Sequence, residues 1–369
     1  MYFPNINILR FFAAFSVLFY HIIEYCDWKD FPIQGPALWF RTGWLGVDIF
    51  FVVSGFVITL SAKAVGEKYG GNSWRVFLTR RFFRIFPLYL ATCVVYSVFV
   101  KPEIIFENKF FFDFLAHIFF VNNLFPDFHR TINPVTWTLA VEVQFYLFMA
   151  VFIRFIHKKP YIFFGSAIVF SVLYKLISFL SISYFDLSEK YSAFFLSTQF
   201  FGCLDEFSFG VILAHIYLQY KDSIERQRKF LFLFLLTLFV FSFYLIYVKL
   251  LFLYGNYWDN VYMVSFWRLG SGFCFFLLVF MFVLLSTHGW IKKILTPFNY
   301  LGEISYGIYL WHLPVIFSLQ KTVIAHDPEV MLIMTTLITF FLSILSWHFL
   351  EKRMIERGKN CLFMLKNID

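Results

Sequence analysis

The stretch "LRFFAAFSVLFYH" (Leu9–His21) is apolar enough to lie in a bilayer, yet it sets an arginine at one end and a histidine at the other. On an α-helix each residue turns about 100°, so Arg10 and His21 come back to within about 20° of one another and share a face, about 16 Å apart along the axis. A charge inside a membrane helix costs on the order of 3 kcal/mol, so such groups are paired or kept for a function. Arg10, near one interface, can snorkel to headgroups. His21 lies deep in the run and has no such escape. Its imidazole changes protonation near neutrality, which suits it to proton transfer.

Other ionisable groups recur in the same setting. "GWLGVDIFFVVSGFVIT" (Gly43–Thr59) carries Asp48 into a second apolar run, either as an interfacial cap or to hold an imidazole in one tautomer and stabilise its cation. The small pair Ser54–Gly55 behind it permits close helix contact. "TRRFFRIFPLYL" (Thr79–Leu90) puts Arg80, Arg81 and Arg84 at the mouth of a third run. The positive-inside rule explains excess charge there, but guanidiniums at i, i+3 ahead of the helix-bending Pro87 also match phosphate geometry. A phosphorylated ligand arriving from the cytoplasm is therefore expected.

"TWTLAVEVQFYLF" (Thr136–Phe148) buries Glu142, with Thr138 and Tyr146 one turn away; pairing with His21 or an arginine would satisfy it. "LDEFSFG" (Leu204–Gly210) adds Asp205 and Glu206, two adjacent acids too costly to be filler. "GEISYGIYLWHLPV" (Gly302–Val315) aligns Ser305, Tyr309 and His312 at i, i+4 and i+7, with Pro314 loosening the helix behind them. Such a stripe serves elsewhere as helix–helix glue; beside the other groups it reads as one wall of a polar chamber. The five cysteines (Cys26, Cys93, Cys203, Cys274, Cys361) are scattered, without CxxC spacing, and imply neither a metal site nor a disulfide framework.

The elements that hold these groups are membrane helices. Of 369 residues, 60% are hydrophobic and 15% charged, and the mean hydropathy is +0.71. Soluble domains carry roughly 25% charged residues, so an all-α polytopic membrane protein is expected. Apolar runs fall near 6–26, 44–62, 83–100, 137–156, 161–182, 193–218, 229–253, 262–285, 300–320 and 331–350. The first lacks a small-residue cleavage site and is expected to remain as a helix. The net charge of +8 gathers in alternate loops (62–84, 154–159, 221–229, 288–293 and 351–359), the pattern of cytoplasmic loops and not of nucleic-acid binding. These five share one side only if "FFDFLAHIFFVNNLF" (Phe111–Phe125) does not cross. It is therefore expected to be re-entrant or interfacial and to line a cavity. Ten crossings with both termini cytoplasmic result, and no internal repeat is evident.

In their order these motifs resemble the acyltransferase-3 family of integral membrane O-acyltransferases. The matching pieces are R-x10-H at Arg10 and His21, "GVDIFFVVSGFVIT", "RRFFRIFPLY", "WTLAVEVQFYL", "EFSFG", "SYGIYLWHLPV" and the closing "LEKR" (Leu350–Arg353). The chain departs from the family pattern at "PNINIL", where the family often has an acid. It departs again at Thr138 and Val143, where Ser and a second Glu are frequent, so a second acid has no counterpart here. The resemblance implies a transmembrane domain over residues 1–355 and a cytoplasmic tail over 356–369, in a stand-alone form without a fused SGNH domain.

The resemblance further implies transfer of an acetyl or other short acyl group from acyl-CoA to a hydroxyl of a surface or lipid-linked carbohydrate. O-antigen or exopolysaccharide comes first, peptidoglycan or a small glycolipid next. Under it, His21 is the general base or a transient acyl carrier, and Glu142 or Asp48 orients its ring. Arg10 stabilises the oxyanion or binds the donor. Arg80, Arg81 and Arg84 grip donor phosphates, while Ser54, Tyr146, Glu206, Ser305, Tyr309 and His312 line the cavity. Acetyl-CoA enters as a substrate and no metal is expected. The setting is the inner or plasma membrane, with glycan-assembly proteins as possible partners. The competing class is a transporter or flippase for an anionic or lipid-linked substrate; many of these show paired halves.

Overall fold

The computed structural model describes residues 3–182, 189–253, 257–285, 289–322 and 327–365, and every regular element among them is helical. In chain order the α-helices are α1 (Pro4–Tyr25), α2 (Leu38–Arg41), α3 (Gly46–Tyr69), α4 (Ser73–Val95) and α5 (Phe110–Ile118). Then come α6 (Thr136–Lys158), α7 (Pro160–Leu180), α8 (Glu189–Ser197), α9 (Leu204–Arg226) and α10 (Arg228–Leu253). The last are α11 (Val261–Leu284), α12 (Gly289–Glu303), α13 (Ser305–Leu319), α14 (Pro328–Ser346) and α15 (Lys352–Leu365).

The ten apolar runs fall on helices, with 193–218 divided between α8 and α9 and 300–320 between α12 and α13, and the chain is an all-α, multi-pass membrane protein. Among the described residues, eight stretches are long and apolar enough to cross a bilayer, and one of them, Gly43–Val100, contains both α3 and α4. Helix α13, with 15 residues, rises about 22 Å and is shorter than the roughly 30 Å of a hydrocarbon core. Helix α5 has nine residues, about 14 Å of rise, and by length cannot cross. It turns Phe111 and Phe112 outward and buries Asp113 and His117. The His117 Nδ1 lies 3.0 Å from Asp113 Oδ1, and Tyr89 of α4 donates to the His117 carbonyl at 3.0 Å.

The chain forms two compact units: Met1–Leu9 with Asp48–Ala64 and Val151–Leu295, and Arg10–Val47 with Val65–Ala150 and Thr296–Asp369. In the first unit α7, α9, α10 and α11 pack together, and α3 crosses α9 where both helices have glycine. A Cβ at Gly55 would sit 2.2 Å from the Phe207 carbonyl oxygen, and one at Gly210 would sit 2.1 Å from that of Val52. The small residues after Asp48 thus serve the crossing directly.

The same unit is tied by buried ions. Lys175 of α7 meets Asp205 of α9 at 2.7 Å, with neither side chain accessible. Arg268 of α11 reaches Glu206 of α9 at 3.5 Å and Asp48 of α3 at 3.8 Å, and Ser271 Oγ donates to Asp48 Oδ2 at 3.1 Å. Asp48, expected to orient His21, and Glu206, expected to line a cavity, both lie against Arg268, the pairing that desolvation demands.

In the second unit α13 runs along α14 and α15 packs on α4. Gly307 lies against Ser343, where a Cβ would approach to 3.0 Å, and Gly358 lies against Phe83, at 2.8 Å. The expected tail at 356–369 therefore begins within α15, and residues 366–369 lie outside the described residues. Between α14 and α15, Trp347–Glu351 forms a π-turn.

Removing one partner of the α7–α9 pair strands the other charge, which costs about 3–5 kcal/mol. Lys175→Met is expected to lower the thermal unfolding midpoint of the detergent-solubilised protein strongly. The double variant Lys175→Met/Asp205→Leu should recover much of that loss, as a double-mutant cycle in the same melting assay would read.

Candidate active site

Helix α1 is unbroken from Pro4 to Tyr25, so Arg10 and His21 keep the common face expected of them. At the far end, His21 Nδ1 lies 2.9 Å from Nε2 of His312 on α13, with ring centroids 5.0 Å apart and planes inclined by 20°. His312 is buried, whereas His21 is partly accessible. His312 Nδ1 in turn lies 3.2 Å from the backbone oxygen of Ile308, one turn back.

Pro314 has no N–H, so the Leu310 carbonyl loses its helical donor. Asn133 supplies the replacement: its Nδ2 donates to Leu310 O at 3.0 Å. Asn133 has φ +46°, a left-handed conformation that asparagine tolerates better than most residues. The stripe on α13 divides among three partners. His312 meets α1; the Tyr309 hydroxyl shares a 2.8 Å hydrogen bond with Thr138 of α6; Ser305 donates to its own Gly302 carbonyl at 2.8 Å. Ser305 is therefore spent on the chain's local geometry.

At the other end of the α1 face, Arg10 interacts with Glu142 and Tyr146 of α6 and with Arg81 and Arg84 of α4. Tyr146 donates to Glu142 Oε1 at 2.8 Å. The Arg81 guanidinium sits 5.5 Å from the ring centroids of both Phe77 and Tyr146, within cation–π range of each. Glu351, at the end of the π-turn, interacts with Arg84 and Arg10 and accepts from Ser346 at 3.3 Å. Tyr306 of α13 joins Glu351, Glu142 and Tyr146 and donates to the Ile85 carbonyl at 2.8 Å. Three guanidiniums and two carboxylates leave a formal excess of one positive charge.

Arg80 stands apart from this cluster. It is exposed, with Nη2 3.4 Å from the Tyr69 hydroxyl and its guanidinium 5.7 Å from that ring. This corrects the grouping of Arg80 with Arg81 and Arg84, because adjacent residues diverge by about 100° around a helix. Ser54 lies beside the α3–α9 crossing and belongs to the first unit.

Four participants were invisible to motif reading. Lys175 and Arg268 are each the lone Lys or Arg of their helix; the neighbouring unpaired acids were the signal that they had to be counterions. Glu351 lies in "LEKR", whose acid the sequence leaves without a role. Asn133 gave no signal beyond its place before "PVTW". Outside the spans, His129 is buried and stacks on Trp137 with centroids 5.5 Å apart. Burial, aided by Arg130 and His117, lowers it to about 3, so it stays neutral. Among the described residues, no group of three or more His, Cys, Asp or Glu side chains is arranged to hold a metal ion.

These features agree with what similar proteins are. Residues 3–348 match the family described as "Acyltransferase domain", and the chain belongs to this acyltransferase-3 family. It is similar to the peptidoglycan O-acetyltransferase OatA of Listeria monocytogenes, 28% identical over 97% of this chain and 56% of that protein. It is also similar to O-acetyltransferase OatA of Staphylococcus aureus, 27% identical over 97% of this chain and 58% of that protein. The chain thus spans 56–58% of the length of these curated relatives. No solved structure matches it.

The Asn133 contact carries its own test. Asn133→Ala leaves the buried Leu310 carbonyl without a donor, which costs about 1–3 kcal/mol. It also places alanine where φ is positive. A clear drop in the unfolding midpoint is expected, and a midpoint equal to that of the parent protein would show the contact to be unimportant.

Proposed function

We propose that this chain moves an acetyl or other short acyl group from acyl-CoA to a hydroxyl of a surface or lipid-linked carbohydrate. The observation that carries the reading is the layout of α1. One end of a single helical face joins a cluster of guanidiniums with net positive charge, and the other end joins a pair of imidazoles. The separation of about 16 Å is comparable to the extended pantetheine arm between the phosphates of CoA and its thioester. Phosphates held by Arg81, Arg84 and Arg10 would thus leave the thioester near His21.

In this mechanism the His21 imidazole accepts the proton of the acceptor hydroxyl as that oxygen attacks the thioester carbon. The carbon–sulfur bond then breaks, and the imidazolium returns the proton to the leaving thiolate, giving CoA–SH and the acyl ester. Proton transfer of this kind is worth roughly 10²–10⁴ in rate. Glu142 and Glu351 hold the arginines apart and oriented while the donor is absent, since three like charges repel at close range. The reading has both termini on the cytoplasmic side of the cell membrane, where acyl-CoA is supplied. For the acceptor, the name of the Listeria relative puts peptidoglycan beside O-antigen and exopolysaccharide. Glycan-assembly proteins remain proposed partners.

Full-length protein supplied with labelled acetyl-CoA and isolated cell envelope should yield CoA thiol and labelled glycan, which mass spectrometry locates. Movement of substrate without thiol release would favour a transporter. His21→Ala is expected to abolish transfer while the protein still inserts; full activity would remove His21 from the mechanism. Arg81→Ala and Arg84→Ala should each raise KM for acetyl-CoA by about tenfold or more, the loss of one charge-assisted contact, with kcat less affected.

A further inference from the structure

We propose that His312 is a positioning residue: its Nε2 accepts the Nδ1 proton of His21, leaving Nε2 of His21 as the nitrogen that takes the substrate's proton. The inference rests on the acyl-transfer reading for its consequence, but the proton assignment follows from geometry alone.

A neutral imidazole carries one proton on one of two nitrogens, and its partners decide which. A backbone carbonyl only accepts, so the 3.2 Å approach of His312 Nδ1 to Ile308 O puts the proton of His312 on Nδ1. Its Nε2 is then a lone pair, and the 2.9 Å contact with His21 requires the proton of His21 to be on Nδ1. The backbone of Val17, one turn before His21, bonds the same ring. The opposite assignment would press the His312 Nδ1 lone pair against the Ile308 oxygen. It would also leave His21 presenting an N–H, unable to accept a proton from a hydroxyl. The chain Ile308 C=O, His312, His21 therefore runs in one direction and ends on a basic nitrogen.

The arrangement also bears on the charged state. Once His21 has taken a proton, its Nδ1–H still points at the His312 lone pair and the bond becomes charge-assisted. The other groups that face the ring are the Arg130 guanidinium and the rings of Tyr20 and Tyr25. Arg130 is itself held by the Tyr25 hydroxyl at 3.2 Å. His312 thus faces the Nδ1 proton of His21 with a lone pair in either charge state and adds no formal negative charge.

The test compares His312→Leu, which removes the acceptor, with His312→Gln, whose amide oxygen accepts from His21 while its NH₂ donates to Ile308. Both are assayed in the full-length protein with labelled acetyl-CoA and isolated cell envelope. For the leucine variant, kcat should fall about tenfold or more, part of what general-base transfer supplies, with KM for acetyl-CoA within about twofold. The acidic limb of its pH–rate profile should move to lower pH, because the imidazolium has lost its acceptor. The glutamine variant should recover most of kcat and the parental limb. Equal losses in both variants with the limb unmoved, or full activity in the leucine variant, would overturn the proposal. Should the leucine variant fail to fold, ¹⁵N-histidine NMR of the parent protein decides. With signals assigned by difference from His21→Ala, His21 must show a protonated Nδ1 and a bare Nε2, and the reverse overturns the assignment. An active His21→Ala would instead sink the role of His21 in transfer and leave the tautomer result standing.

Discussion

A charged side chain in hydrocarbon must find its counterpart on another helix, because no water is there to take its place. That constraint decides which helices of this protein lie together. In the first unit Lys175 and Arg268 each enter on an otherwise apolar helix, and each is answered by acids of α9. The attraction specifies partners while adding little net stability, since desolvation offsets most of the Coulombic gain. Close approach at Gly55 and Gly210 then supplies the dispersion contacts that polar pairing alone cannot.

In the second unit the same constraint is only partly met. Arg10, Arg81 and Arg84 outnumber Glu142 and Glu351, and the tyrosines between them contribute hydroxyls and ring faces but no formal charge. Under the proposed function, a cluster kept short of neutrality suits an anionic donor at some cost in stability. The pattern separates a framework, where lone cations meet acids at 2.7–3.8 Å, from a cluster in which guanidiniums outnumber carboxylates. The π-turn that ends at Glu351 fits this view, because such turns commonly mark functional positions.

Sequence reading reached the helices and erred on rotations. Hydropathy located the longest helices, those of 19 residues or more, since a run of apolar residues has one meaning in a membrane chain. The short α5 was legible from charge parity and length. Partner identity was less legible. Depth alone suggested Asp48 for His21, but which way a helix turns depends on contacts distant in sequence, and Arg268 claimed that acid. The three polar residues on α13 share a face, yet helical spacing does not say that Ser305 would turn back to Gly302 or that Tyr309 would meet Thr138. Adjacent arginines looked equivalent as a motif; the helix separated Arg80 from Arg81. Asn133 was illegible because its role depends on a carbonyl freed by a proline far along the chain.

The choice of histidine over a carboxylate as the partner of His21 has a physical consequence. An acid beside an imidazole makes a stronger base but brings a charge that must itself be desolvated, which in a membrane costs several kcal/mol. A second neutral imidazole, anchored to its own helix backbone, fixes the ring's orientation and tautomer while adding no formal charge. Under the proposed function the base obtained is milder, which suits a thioester as a comparatively activated acyl donor. Placing that pair at the far end of α1 also keeps it away from the guanidiniums around Arg10, whose field would otherwise oppose a positive imidazolium. In the proposed mechanism the length of α1 thus separates anion binding from proton transfer, and each end can be tuned without spoiling the other.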